Sequence, residues 1–369
     1  MNLNAIQILS GLGGPPLWKV SLLASLPLLT NGISSYFLVP LSISIGRRPV
    51  ILVCGIMAWI GGFWAGCSSS LDSHIAARCF QAVGAGAVEA LIPLIVQDVV
   101  FIHERNRATS AIWAAQGLLI VSLGVAAPAV VATVGWRWLY FVAAWLALAA
   151  WAAVAAFLPE TRWARSAAEL AGKDVYALRG GDTRPAIDTR LPPRTLWTDV
   201  GLFTLGFAHR DALRSVRDTL RTMLFPNVLW AVAVNAALIS VFNAAGQTAS
   251  AVLIAAGWKF KVLGLALLPV VVATPLVWLL GGYVADEVSN GIARRNGGRR
   301  EPEVHLLNLV APLVMGVLGC VLFGYAAENV ATASWFVFLM GIFFIALGFM
   351  VANTVMSVYV VESYPQWAG

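Results

Sequence analysis

Apolar residues in this chain come in long unbroken runs, not in the one-sided stripes of soluble helices or strands. Nine such runs stand out, over 20–45, 50–68, 74–101, 108–133, 138–158, 227–255, 262–284, 304–326 and 333–361. Runs of about 20 apolar residues are long enough to cross a hydrocarbon layer about 30 Å thick. Backbone N–H and C=O groups find no water there, so each run is predicted to be an α-helix, whose hydrogen bonds stay within the segment. The alternating ten-residue segments of an outer-membrane barrel are absent from the sequence. The predicted fold class is an all-α polytopic membrane protein.

Polar residues collect between the runs. Of 24 Lys and Arg residues, 19 fall on the side of the loop that follows the first run, four (Lys19, Arg137, Lys259, Lys261) fall on the other, and Arg78 lies inside a span. In the short loops alone the split is eight to four, which places the first side in the cytoplasm. One long polar stretch, 159–226, divides the spans five and four. Three regions are therefore expected: a half-bundle over 1–158, a cytoplasmic central loop over 159–226, and a half-bundle over 227–369. Within the loop, Ala164–Pro193 is rich in Gly, Pro and charge and is predicted to be flexible. Asp199–Leu224 carries Arg210, Arg214, Arg217 and Arg221 at steps of 4, 3 and 4, beside Leu213, Leu220 and Leu224. That spacing predicts an amphipathic helix, lying on the inner leaflet or simply solvated.

Composition closes off other classes. The 369 residues are 59% hydrophobic and 11% charged, against roughly 25% charged in an average soluble domain, which nearly excludes a water-soluble enzyme. The net charge of +6 resides in loop arginines that topology explains, so no nucleic-acid partner is expected. Cys54, Cys67, Cys79 and Cys320 read as small core residues, and the spacing of Cys67 and Cys79 does not by itself set a disulfide. Met1–Trp18 has no signal-peptide pattern. His74, His103, His209 and His305 lie near loops, unclustered, and are expected to be solvated or capping residues, with no metal or other cofactor. No Walker, His-Glu-x-x-His or Gly-x-Ser-x-Gly motif occurs, so ATP-driven export and enzymatic hydrolysis are unsupported.

The loops carry a series of motifs. Gly46-Arg47-Arg48-Pro49 follows the first span, and Arg78-x-x-Gln81-Ala-x-Gly84-Ala-Gly86 opens the third, which ends in Asp98-x-x-Phe101-x-x-Glu104-Arg105. Gly135-Trp136-Arg137-Trp138 precedes the fifth span and Pro159-Glu160-Thr161 closes it. The second half has Gly282-x-x-x-Asp286, then Arg294-Arg295-Asn296-Gly297-Gly298-Arg299-Arg300-Glu301-Pro302-Glu303, and Glu362-Ser363-Tyr364-Pro365. Together these resemble the major facilitator superfamily, and within it the fungal drug:proton antiporter-like transporters. The resemblance implies two half-bundles of six helices, of which the nine spans match the second to the tenth. The chain thus resembles a family member without its first helix and last two. Two departures stand out. Pro40 and Ser44 replace the usual Gly and Asp of the first-half loop, which the second half keeps as Gly282 and Asp286. The antiporter signature Gly-Pro-x-x-Gly-Gly survives only as Pro128, with Leu123, Ala127, Val131 and Ala132 at its glycines.

Arg78, Gln81, Ala85 and Glu89 fall within about 80° on one helix face. An ionised carboxylate at mid-span costs several kcal/mol, so Glu89 is expected to be protonated part of the time or to face a wet cavity. It is a candidate proton carrier, with neutral packing as the alternative. The resemblance links Arg78 to proton coupling; snorkelling to the interface is the alternative. It also implies a cytoplasmic gate in which Asp98 pairs with Arg47 and Arg48, with Asp286, Arg294, Arg295 and Glu362 as the second-half parts; plain loop anchoring would use the same residues. By resemblance, the cargo path follows the seam between halves, at Gln81, Glu89, Asn235, Asn243, Gln247, Met350, Asn353 and Ser357. Amides inside spans pair across helices or line water. Trp18, Trp136, Trp138 and Trp258 are expected in interfacial belts. Gly62 and Gly66 form a small-xxx-small contact, and Pro269 and Pro275 permit bending of the seventh span.

The expected activity is secondary transport of lipophilic small molecules coupled to protons by alternating access. Nutrient symport and a non-transporting remnant remain as alternatives. The expected partners are the lipid bilayer, a small-molecule substrate and protons, for a monomer in the plasma membrane.

Overall fold

The computed structural model describes residues 17–101, 104–161, 201, 209–297 and 301–363. Among these residues nine helices are long and apolar enough to cross a membrane, and each overlaps one of the nine runs. In chain order the helices are α1 (Leu17–Ile45), α2 (Arg47–Cys67), α3 (Leu71–Val99), α4 (Arg105–Thr133) and α5 (Trp136–Phe157). A short α6 (His209–Thr222) precedes α7 (Pro226–Ala255), α8 (Phe260–Arg295), α9 (Val304–Glu328) and α10 (Trp335–Ser363).

Helix ends follow local chemistry. The Ser70 hydroxyl accepts the Ser73 N–H at 3.2 Å and caps α3. Gly46, at φ +110°, turns the chain between α1 and α2 within one residue, a conformation that side chains with a Cβ rarely adopt. Pro226 sits in the first turn of α7, where its missing N–H leaves nothing unbonded. Helix α8 is irregular. It starts as a 3₁₀ helix at Phe260–Leu267 and becomes α-helical over Leu268–Trp278. It then widens to a π turn over Leu279–Val284 and ends α-helical at Ala285–Arg295. Pro269 stands at the first change of winding. Pro275 lies four residues before the second, where a ring in place of an N–H disrupts the ladder.

The helices form two groups. One joins α1, α2, α3 and α5; the other joins α7, α9 and α10, with α8 against α10. Helix α4 lies between them, packed along α8 and also on α10. Lipid is as apolar as leucine, so close van der Waals fit and interhelical hydrogen bonds hold such groups together. Small residues provide the fit: a methyl group on Gly61 of α2 would sit 2.7 Å from the Gln81 nitrogen of α3. One on Gly66 would meet the Phe141 ring of α5 at 2.7 Å, and one on Gly341 of α10 would meet the Phe323 nitrogen of α9 at 2.6 Å. The outer surface is apolar, with Phe157, Leu119 and Phe37 exposed to where lipid would lie.

Several expectations change. His74 and His305 are fully buried, not solvated, because each ring nitrogen that reaches a partner does so inside the bundle. His103 and the His209 side chain lie outside the described residues. Trp136 is buried against His74 and Tyr140, so it belongs to an internal aromatic cluster. The four cysteines are free, and only Cys54 is buried; Cys67 and Cys320 face outward. The loop Ala164–Pro193 lies outside the described residues, as do Arg299, Arg300 and Tyr364-Pro365. Of the helix predicted over Asp199–Leu224, His209–Thr222 is helical as α6, packed against α1, while 199–200 and 202–208 lie outside the described residues.

Candidate functional site: the cytoplasmic lock and the polar seam

The cytoplasmic ends, as the arginine distribution assigns them, hold the densest polar network. Within the first group, Arg47 at the start of α2 pairs with Asp98 at the end of α3, Nε to Oδ2 at 3.0 Å, both nearly buried. Glu160, just past α5, accepts the backbone N–H groups of Arg47 at 3.0 Å and Arg48 at 3.2 Å. A carboxylate there satisfies two open donors and meets the positive end of α2. Only a glycine at position 46 leaves room, because a Cβ would collide with the Glu160 carboxylate. The Arg48 guanidinium donates to the carbonyls of Leu158 at 2.8 Å and Ala155 at 2.6 Å, at the negative end of α5. These contacts of Arg47, Arg48 and Asp98 lie within the first half and brace it.

A polar crossing between halves is made by Asp286. This carboxylate of α8, only 2% exposed, accepts the Asn106 side-chain N–H at 2.9 Å and the Arg107 backbone N–H at 2.9 Å. Both donors belong to the first turn of α4, so Asp286 caps a helix that is not its own. The π turn brings it there: a methyl group on Gly282 would collide with the Ser110 hydroxyl and sit 3.2 Å from the Arg107 Cα. The Arg107 guanidinium lies 5.0 Å from the centre of the Tyr283 ring. Arg294 and Arg295 end α8 exposed, two and a half turns beyond Asp286, and take no part in this contact. Glu362 turns inward within the second half, 2.9 Å from His305 Nε2.

Deeper polar groups divide among different interfaces. Glu89 accepts from the Asn31 amide of α1 at 2.8 Å, and its residue is exposed beyond that bond. Arg78 donates to Gln81 at 2.8 Å and lies 5.8 Å from the centre of the Tyr140 ring. The glycine pair Gly61 and Gly62 holds Gln81 against α2, so Gln81 packs inside the first half and not on the seam. Tyr140 in turn reaches His74 Nε2 at 3.2 Å, while His74 Nδ1 lies 3.0 Å from the Ala65 carbonyl. A carbonyl can only accept, so Nδ1 carries the proton and Nε2 accepts from the Tyr140 hydroxyl.

In the second half Asn235 donates to Asn353 at 3.1 Å, joining α7 and α10. Asn243 is exposed and bonds its own helix at Ile239, and Gln247 is exposed on the same helix. Met350 reaches the seam proper, where Gly117 of α4 faces it and Thr274 of α8. Farther out, a pocket of about 230 Å³ opens between α4, α7 and the 3₁₀ start of α8, lined by Gly124, Pro128, Ser250, Leu263 and Leu267. Among the described residues no group of three His, Cys, Asp or Glu is placed to hold a metal ion.

Residues missed from sequence are Glu160, Asn106, Arg107 and Asn31. Asn31 carries the same signal as Asn235, an amide within a span. The other three act through contacts more than 100 residues away in sequence, which spacing does not reveal.

The sequence profile of the Major Facilitator Superfamily matches residues 7–369. An uncharacterized MFS-type transporter of Schizosaccharomyces pombe is 23% identical over 388 aligned positions, covering 90% of this chain. The chain spans 65% of the length of that relative. The "Probable efflux pump mfs2" of Aspergillus flavus is 24% identical over 354 positions, covering 93% of this chain and 78% of that protein. Among solved structures, the human organic anion transporter MFSD10 (TETRAN) aligns over 99% of this chain and 81% of its own, with a TM-score of 0.50 and 14% identity, a likeness of fold alone. A profile match that runs nearly from end to end, on nine membrane-length helices, means that this chain belongs to the major facilitator superfamily.

Proposed function

We propose that the chain acts in export of lipophilic small molecules against a proton gradient, by alternating access of the seam between its halves. The observation that carries this reading is the Asp286 contact. One carboxylate of the second half closes a helix end of the first, while Arg47–Asp98, Glu160 and His305–Glu362 hold each half together separately. Breaking that contact removes one polar tie between the halves at the cytoplasmic end, where exposure of one site to alternate sides requires them to part.

The apolar pocket beside Pro128 supports a lipophilic cargo, and its volume lies just below the range of drug-sized sites. The name of the Aspergillus flavus relative supports outward transport. Proton coupling is assigned to Glu89, the carboxylate within span α3 that accepts from the Asn31 amide, with Arg78 on the same helix about three turns away. The chain is proposed to work as a monomer in the plasma membrane. The test is uptake of fluorescent lipophilic dyes into proteoliposomes with an imposed pH gradient. Dye accumulation that collapses with a protonophore supports the reading, and accumulation indifferent to the gradient overturns it.

A further inference from the structure

Helix α6 shows three distinct faces. Ala212, Ser215, Val216, Thr219 and Thr222 form a half-buried face of small and polar residues, and the helix packs against α1. Opposite, at steps of 4, 3 and 4, stand Arg210, Arg214, Arg217 and Arg221. Between the two run Leu213 and Leu220, exposed to 72% and 54%, and Leu224, just past the helix end, is exposed to 77%. A solvated helix has no reason to hold three leucines in water beside an arginine row. Four arginines against Asp211 and Asp218 leave the helix two charges positive. Three residues, Met223, Leu224 and Phe225, separate it from Pro226, where the first span of the second half enters the membrane.

We infer that α6 is a docking surface for anionic phospholipid of the cytoplasmic leaflet. The leucine stripe enters the headgroup–acyl boundary and the arginine row meets phosphate and carboxylate headgroups. A cationic amphipathic helix beside a span suits this role because each charge near an anionic leaflet strengthens binding about fivefold, over a range of about one Debye length. The small-residue face, held on α1, orients the other two faces outward. This inference rests on the membrane placement and not on the transport reading.

The experiment is hydrogen exchange by mass spectrometry on the full chain in nanodiscs of phosphatidylcholine alone or mixed with phosphatidylserine. Exchange across 209–222 is expected to slow about 25-fold with the anionic lipid, for two net charges at about fivefold each. Molar salt, or Arg214→Gln with Arg217→Gln and Arg221→Gln, is expected to abolish the slowing. Leu213→Ser with Leu220→Ser reduces it as well. Spans α7 and α10 in the same samples report whether each variant is folded. Equal exchange in the two lipids, or slowing that survives the arginine substitutions, overturns the proposal.

Discussion

Replacing Asp286 by Asn keeps the shape of the side chain and removes its charge. The native carboxylate accepts two hydrogen bonds at 2.9 Å from the first turn of α4. Asparagine offers one acceptor and turns its own N–H groups toward the second donor. Loss of one hydrogen bond to a charged group amounts to about 1.5–3 kcal/mol, and the missing charge at the helix N-terminus adds about 0.3–1 kcal/mol. The sum is about 3 kcal/mol, roughly a hundredfold in the equilibrium between closed and open cytoplasmic ends. Spin labels at Val99→Cys and Arg295→Cys, exposed cytoplasmic positions in opposite halves, report that equilibrium by double electron–electron resonance on a background without native cysteines. Asp286→Asn is expected to move most of the population to longer distances. Asp98→Asn, which breaks a contact inside one half, is expected to leave it in place. Unchanged distances in Asp286→Asn, or an equal shift in both variants, would refute the assignment of Asp286 as the lock.

Other consequences can be measured directly. Gly282→Ala pushes a methyl group onto Ser110 and is expected to open the same labelled pair, with partial recovery in Gly282→Ala/Ser110→Ala. Arg48→Lys loses the fork that spans the carbonyls of Leu158 and Ala155; thermal unfolding in detergent should show a loss of about 1–3 kcal/mol, and an unchanged midpoint would contradict it. Tyr140→Phe leaves His74 Nε2 buried without its donor, at about 1–3 kcal/mol. The double variant His74→Phe/Tyr140→Phe is expected to be less destabilised than the sum of the two single changes, and strict additivity would count against the pair.

The spans were legible because membrane thickness dictates the length of an apolar run, and all nine runs became helices. The changes of winding in α8 were legible only as prolines that permit bending; where the turn widens depends on how Gly282 settles against α4. The gate was legible as a set of charges at the right membrane face, but not as a wiring diagram. Asp98 and Asp286 both read as latch carboxylates, yet one braces a half and the other joins two, a difference set by which helix end lies nearby. His74 was misread because it follows a loop in sequence, while its partners come from α2 and α5.

The central claim concerns Glu89, and Glu89→Gln tests it without disturbing the Asn31 contact, since the amide oxygen still accepts that bond. In proteoliposomes this variant is to be compared with the native chain in two modes, dye exchange at equal pH and net dye accumulation under a pH gradient. The account predicts that Glu89→Gln keeps exchange and loses accumulation; accumulation at the native level would contradict it.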